Sequence, residues 1–412
     1  MLKFIKKHPW IFIVLFLLVL FPQSLTDQAK LNMRVIITGI GIDYVNDQYQ
    51  ITSQIILPSN GAQSGGINAH ISYLTSSGKS ISECIQKTSY KLGKITELSH
   101  IDFILVGETM RDHNLASSLD YFFRNFKLKQ SVTLLACFGE AKEAIHKTSE
   151  LELGVALSLQ KIYLSHENSL SAVSTSYTDF IIDSNAESGI SLLDTFIITS
   201  DSSSSNSSSQ SSESEQSSEQ SQSAKENSKI NVNTPLIVFK NGIFVGKITN
   251  EDAVRGYYLA DKKSNMGNIV LTNFSFADAQ NANINLRIDR MNKTHKIEFI
   301  NGKPTHIINI NIQEAKIDEI APQTAANANL YLPLTVAMQD AIIQATEARI
   351  KELINTTFTH AQQQNIDIFK TANYCKRFHD EKWQNYLQNT DNPQNYVQDI
   401  SVIVNVKFGQ IS

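Results

Sequence analysis

The chain has 412 residues, enough for two or three domains, and its 20 Phe, 13 Tyr and 42% hydrophobic content supply material for real cores. Its 36 basic and 40 acidic residues leave a formal charge of −4, which gives no footprint for nucleic acid. The 3 cysteines, Cys84, Cys137 and Cys375, are far apart without CxxC spacing, so neither a disulfide framework nor a zinc site is encoded and buried thiols are expected.

Residues 1–26 read as an export signal or membrane anchor. Lys3, Lys6 and Lys7 precede an unbroken apolar run over residues 10–21, and positive charge ahead of a short apolar core is held on the cytoplasmic side. The run is shorter than the roughly 20 residues that span a bilayer. The small-x-small cleavage pattern is poor, because Pro22 or Asp27 takes the outer position. A retained anchor is therefore expected over a cleaved signal, with the lysines snorkelling to lengthen the span. The protein is expected to work outside the cytoplasmic membrane.

Residues 30–199 read as an N-terminal α/β domain. Residues 35–43 and 49–57 are strand-like and joined through Asn46-Asp47 as a hairpin. Tyr49, Ile51 and Ser53 alternate with Gln50 and Thr52, which predicts one half-solvated face. A Gly/Ser/Asn loop over residues 58–68, a strand over 69–74 and a turn at 76–79 follow. Ser80 then caps a helix carrying Ile81, Cys84, Ile85, Thr88 and Leu92 at helical spacing. Residues 101–106 predict a buried strand, and residues 115–126 a helix with Leu119, Phe122, Phe123 and Phe126 inward. A strand over 131–138 and a helix over 140–146 complete an alternating, layered pattern.

Residues 200–230 are expected to be a disordered linker. Fifteen of the 29 residues from 201 to 229 are serine, and none is aromatic or a larger aliphatic. As a flexible coil this tether would span on the order of 30 Å. Residues 231–315 read as a middle α+β domain opened by a hairpin whose Asn241-Gly242 is a strong turn signal. Thr249 or Asn250 caps a short helix, and strands follow over 269–274, 284–288 and 306–312. Residues 316–412 read as a C-terminal α+β domain with a long helix over 334–362 and a second helix over 366–387. Its terminal strand has Ile400, Val402, Val404, Val406 and Phe408 at period two. The fold class is thus α+β and multi-domain, with mixed sheets flanked by helices behind a short N-terminal membrane segment.

No catalytic constellation emerges. Gly39-Ile-Gly-Ile-Asp43 lacks the third glycine and the immediate helix of a dinucleotide fingerprint. Ser76-Ser-Gly-Lys79 has SxxK spacing, but acyl-enzyme chemistry wants that serine at a helix start, and Gly78 favours a turn. Asp43 and His100 complete no triad, and no HExxH or His pair at i,i+3 or i,i+4 suggests a metal. Glu150, Glu152, Asp380 and Glu381 read as solvated carboxylates, and Lys127, Lys129 and Lys142 are too sparse for a phosphate channel. No catalytic, cofactor-binding or metal-ligating residue is assigned, no cofactor is expected, and no binding residue is named.

Several segments in order carry a resemblance. They are Thr38-Gly-Ile-Gly-Ile-Asp43, Gly78-Lys-Ser-Ile-Ser-Glu83, His100-Ile-Asp-Phe-Ile-Leu-Val-Gly-Glu108, Leu119-Asp-Tyr-Phe-Phe-Arg124 and Ala141-Lys-Glu-Ala-Ile145. In the second half they are Val238-Phe-Lys-Asn-Gly-Ile-Phe-Val-Gly246, residues 289–304, Ile366-Asp-Ile-Phe369, His379-Asp-Glu-Lys-Trp383 and Val402-Ile-Val-Asn-Val-Lys-Phe408. Together these resemble the Ger(x)C family, the C subunit of spore nutrient-germinant receptors. The resemblance implies a non-enzymatic, multi-domain protein on the outer face of the spore inner membrane. It would act with A-type and B-type membrane subunits, and a nutrient ligand would be sensed through that complex. The family usually carries a lipobox cysteine after the apolar run. Here residues 21–26 hold no cysteine, so lipidation is not expected, and the serine tether looks like an insertion. An extracytoplasmic ligand-binding or sensory module unrelated to spores is the alternative reading.

Overall fold

The computed structural model describes residues 33–58, 69–124, 128–147, 175–200, 228–232, 235–276, 279–322 and 335–411. The membrane segment expected over residues 1–26, the loop after residue 58 and the core of the serine tether lie outside them. Among the described residues no helix is long and apolar enough to cross a membrane.

Strands β1 (Arg34–Val45) and β2 (Gln48–Pro58) form the expected hairpin. Asn46 and Asp47 both take positive φ, 53° and 58°, as a two-residue primed turn requires. β3 (Ala69–Gly78) adds to the outer side of β2, and α1 (Ile81–Leu92) crosses back to β4 (Ile95–Glu97) and β5 (Phe103–Gly107). The Ser80 side chain accepts from the Glu83 N–H, so the helix starts where the sequence predicts. β5 runs parallel to β1, and β6 (Thr133–Cys137) runs parallel to β5. The polar alternation in β2 does not mark a wet face: Thr52, Ser53 and Gln54 are fully buried. α4 (Ala141–Lys147), preceded by the short α2 (Leu115–Ser118) and α3 (Asp120–Arg124), covers the face opposite α1. Thr52 pairs with Thr75 at 3.0 Å and Gln54 with Thr38 and Tyr73, whereas the buried Ser53 hydroxyl finds no partner among the described residues. The expected turn at 76–79 is likewise strand as far as Gly78.

The helix expected over 115–126 breaks at Leu119 into α2 and α3. Leu119 and Phe122 are buried as predicted, whereas Phe123 is 50% exposed, and Phe126 lies outside the described residues. After α5 (Tyr177–Ser184) the chain changes sheets. β7 (Ile190–Leu193) pairs with β10 (Leu236–Lys240) of the hairpin completed by β11 (Ile243–Ile248), while β8 (Thr195–Ser200) joins β6 in the large sheet. β9 (Ser228–Val232) pairs with β8, so residues 228–230, assigned to the linker, are strand. The large sheet runs β3-β2-β1-β5-β6-β8-β9 with β4 beside β1, and the small one β11-β10-β7. The two halves of the chain are therefore interleaved.

α6 (Glu251–Ala260), capped by the Asn250 side chain, leads to a third sheet of order β12-β13-β14-β15. β12 (Gly267–Phe276), β13 (Ala279–Ile300) and β14 (Lys303–Pro322) are much longer than the three expected strands, because the second hairpin closes at Asn301-Gly302, with φ of 51° and 79°. α7 (Val336–Gln363) lies across this sheet and α6. Gly256 makes that crossing close: a Cβ there would stand 2.1 Å from the Leu353 carbonyl oxygen. The expected domain boundary near residue 315 falls inside β14, and Ala315 is buried in one core shared by α6, the sheet and α7. The second helix is also shorter and divided, into α8 (Thr371–Phe378) and α9 (Asp380–Asn389), broken at His379. Buried Asp367 accepts from the N–H groups of Thr371 and Ala372, which starts α8 at residue 371 and not 366. β15 (Ser401–Ile411) pairs parallel to β14 and places Val402, Val404, Val406 and Phe408 against the core.

Candidate functional site

The residues that sequence chemistry singles out do not come together. Asp43, at the carboxyl end of β1, is fully buried and accepts from the N–H groups of Ala141 (2.8 Å) and Lys142 (2.9 Å) and from the Thr109 hydroxyl (2.9 Å). It is a cap for α4 delivered from a neighbouring strand. Burial pushes its carboxyl up, while those hydrogen bonds pull the other way. Gly39 is a close-approach position, since a Cβ would sit 2.3 Å from the Phe103 ring, and β1 continues into β2 with no phosphate-binding helix. Ser76 is buried within β3 and accepts from the Thr88 hydroxyl at 3.1 Å, while Lys79 lies exposed beyond the strand end. His100 is exposed at the opposite end of the sheet from Asp43. All three cysteines are buried and free, and burial raises every thiol, Cys84 to about 11 and Cys375 to about 12. Among the described residues no cluster of three metal-ligating side chains exists. Lys129 pairs with Asp102 and Asp380 with Lys376, and Glu150, Glu152 and Lys127 lie outside the described residues.

Polar chemistry concentrates instead where the α5–β8 region meets the second half of the chain. Lys370 pairs with Asp183, Lys263 with Asp179 at 2.6 Å, and the Tyr258 hydroxyl donates to Asp194 at 2.7 Å. Asn373 accepts from the Ser188 N–H at 2.7 Å, and Trp383 Nε1 donates to Glu187 at 3.2 Å. Between these bridges lies an open cleft of about 400 Å³ whose lining carries Lys262, Lys263, Lys370 and Arg377 against the carboxylates of Asp183 and Asp261. Its walls are aromatic. Tyr374 stacks on His295 at 5.6 Å with a 10° interplanar angle, and Phe378 lies 6.3 Å from Tyr374.

The floor of the cleft is the C-terminus of α6, where carbonyls are left without intrahelical partners. β13 supplies their donors from alternate residues on one face. Lys293 Nζ reaches the carbonyls of Tyr258 (3.1 Å) and Asp261 (2.7 Å), and His295 Nε2 reaches that of Ala260 (2.9 Å). A carbonyl only accepts, so His295 Nε2 carries the proton and neutral His295 Nδ1 accepts from His306 Nε2 at 2.8 Å. His306 Nδ1 in turn accepts from the Thr371 hydroxyl at 2.9 Å, tying β14 to α8. Burial pushes the Lys293 ammonium down to about 7, and it holds both imidazoles well below their ordinary value. The cluster is thus a helix cap with a hydrogen-bond relay attached.

Two family models cover the chain in sequence. Residues 27–197 match the spore germination protein N-terminal domain, and residues 234–409 match the spore germination B3/GerAC-like C-terminal domain. The chain belongs to the Ger(x)C family of spore germination proteins. Among curated Ger(x)C relatives, spore germination protein B3 of Bacillus subtilis is 32% identical over 139 residues, 33% of this chain and 37% of that protein. Spore germination protein KC of the same organism is 29% identical over 128 residues, 29% of this chain and 31% of that one. Each match spans about a third of the relative's own length. The crystal structure of the GerBC protein aligns over 90% of this chain and 96% of its own, with a TM-score of 0.50 at 16% identity, and so shares the fold.

In this Ger(x)C chain the cleft residues Lys262, His295 and Arg377, and Lys293 and His306 behind them, were missed by motif spacing. One signal was available for the histidines. With Asn301-Gly302 as a two-residue turn, His295 falls opposite Ile308 and His306 opposite Ile297, which makes the two imidazoles diagonal neighbours on one face.

Proposed function

We propose that this chain is the membrane-anchored, extracytoplasmic C-type subunit of a nutrient-germinant receptor. It acts beside A-type and B-type integral membrane subunits and catalyses no reaction itself. The observation that carries this reading is the succession of both family domains, N-terminal then C-terminal, over residues 27–197 and 234–409. The scattering of Asp43, Ser76, Lys79 and His100 over separate parts of the N-terminal sheet agrees with a scaffold or signalling role. Anchoring rests on the lysine-flanked apolar run at residues 10–21. Deleting the gene and following dipicolinate release after nutrient addition tests the role. Loss of the response to at least one nutrient is expected, and an unchanged response to every nutrient overturns it. N-terminal sequencing of the mature protein tests the anchor, which a start beyond Ser24 would refute.

A further inference from the structure

The seam cleft differs in charge from the molecule that contains it. The whole chain carries a formal −4, yet the cleft lining sets four cations against two carboxylates. Both carboxylates are already engaged. Asp183 holds Lys370, and Asp261 accepts from its own neighbour's N–H, that of Lys263, at 2.7 Å. Two of the four cations are held inside the seam, Lys370 on Asp183 and Lys263 on Asp179. The other two behave differently. Among the described residues, Lys262 and Arg377 have no acid within ion-pair distance. Each rests on a ring at the mouth: Lys262 Nζ is 4.7 Å from the Tyr374 centroid, and Arg377 Cζ is 5.2 Å from that of Phe378. Phe378 is 60% exposed, so its ring face is open to a ligand. The two rings stand 6.3 Å apart, so both cations flank one aromatic wall small enough for a single ligand to touch.

An exposed cation resting on a ring keeps most of its hydrogen-bonding capacity, and a guanidinium can grip a carboxylate with two parallel N–H donors. A cleft that pairs such cations with an apolar wall at a junction between units has the chemistry of a small-molecule site. We propose that the cleft binds a small organic anion. Its carboxylate lies between Lys262 and Arg377, and its flat apolar body lies against Tyr374 and Phe378. The ligand would then sit between the Lys370–Asp183 and Lys263–Asp179 bridges, where its binding bears directly on how the two halves of the chain are held. This goes beyond the receptor role and does not depend on it, because it concerns binding by the isolated chain.

Calorimetric titration of the full-length chain in detergent with benzoate, acetate and inorganic phosphate tests the proposal. Benzoate is expected to bind saturably and more tightly than either acetate or phosphate. The Lys262→Ala/Arg377→Ala double variant should weaken benzoate at least tenfold, and Tyr374→Leu should erase its advantage over acetate. The double variant should keep the wild-type urea midpoint to within what an exposed substitution costs. Absence of saturable benzoate binding at about 10 mM, the weak end of specific recognition, overturns the proposal. So does benzoate binding unchanged in the double variant. Binding of the chain to vesicles of phosphatidylglycerol that is lost in the double variant, without any binding of free benzoate, would assign the cations to a lipid surface and overturn it equally.

Discussion

Two helix ends in this protein are capped from a neighbouring strand by complementary charge, and they differ in what surrounds them. At the carboxyl end of β1, Asp43 meets the N-terminus of α4, where three donors consume its oxygens and nothing is left exposed. On β13, Lys293 and the neutral His295 donate to carbonyls at the C-terminus of α6, where the lysine is of the opposite sign to Asp43, as the helix dipole demands. That second cap is the floor of an open cleft, with uncommitted cations at its rim. The contrast separates two uses of polar groups. A closed network stabilises the fold and offers nothing to a ligand, whereas a cap beside an opening leaves charge to be used.

The largest effect expected from this contrast is a pH dependence carried by Lys293. Its folded value of about 7 lies below the ordinary 10.5, so between those limits the unfolded chain binds a proton that the folded one does not. Stability is therefore lost as pH falls from 10.5 to 7 and is flat below. Across three of those units the change is about 4 kcal/mol as an upper figure. From pH 7 to pH 10 the urea midpoint of the wild type should gain on that of Lys293→Met, the buried thiols acting alike on both; parallel pH profiles would mean the amine is not buried as described. Next comes Asp43→Ala, which leaves two buried N–H groups and a hydroxyl without acceptors and should cost about 3 kcal/mol at pH 7. A change below about 1 kcal/mol would show that water replaces the carboxylate and that the network is not closed.

The relay behind the cap gives a smaller effect of related origin. Both imidazoles are held neutral by burial, and their ordinary value is 6.5. Above that pH neither state is charged, so the pair contributes no slope. Below it the unfolded chain takes up protons first, and stability falls as pH drops. At pH 5 the loss should be about 2 kcal/mol for each imidazole. Replacing His295 by Gln should shorten that decline between pH 7 and pH 5, read from the same urea midpoints. An unaltered decline would place the acid sensitivity elsewhere.

How much of this was legible in the sequence follows from how local each signal is. Asn46-Asp47, Asn241-Gly242 and Ser80 act within a few residues, and the structure realises each one. The sheet change at Asp194 depends on which strand β7 and β8 find to pair with, β10 on one side and β6 on the other, and nothing near residue 194 encodes those partners. The same holds for β9, which follows a long serine run and owes its strand to β8. Thr52 reads as solvent-facing because its cover, α4, arrives about ninety residues later. The cleft was illegible for the same reason. Lys262 and Arg377 are ordinary surface residues until α6, β13 and α8 bring them to one opening.

The least costly pair of changes therefore tests the contrast most sharply. Lys262→Ala and Arg377→Ala each remove an exposed cation that rests on one ring face, a contact worth about 0.5 kcal/mol at such sites. Neither leaves a buried donor or acceptor stranded, so each should change stability by about 0.5 kcal/mol or less, read as a urea midpoint. A loss of 2 kcal/mol or more, which is what a closed network would give, would put these cations in the same class as Asp43. Near-silence in stability, set against the heavy loss at Asp43, is what a rim built for an incoming anion requires, because charge already spent on the fold could not also hold a ligand.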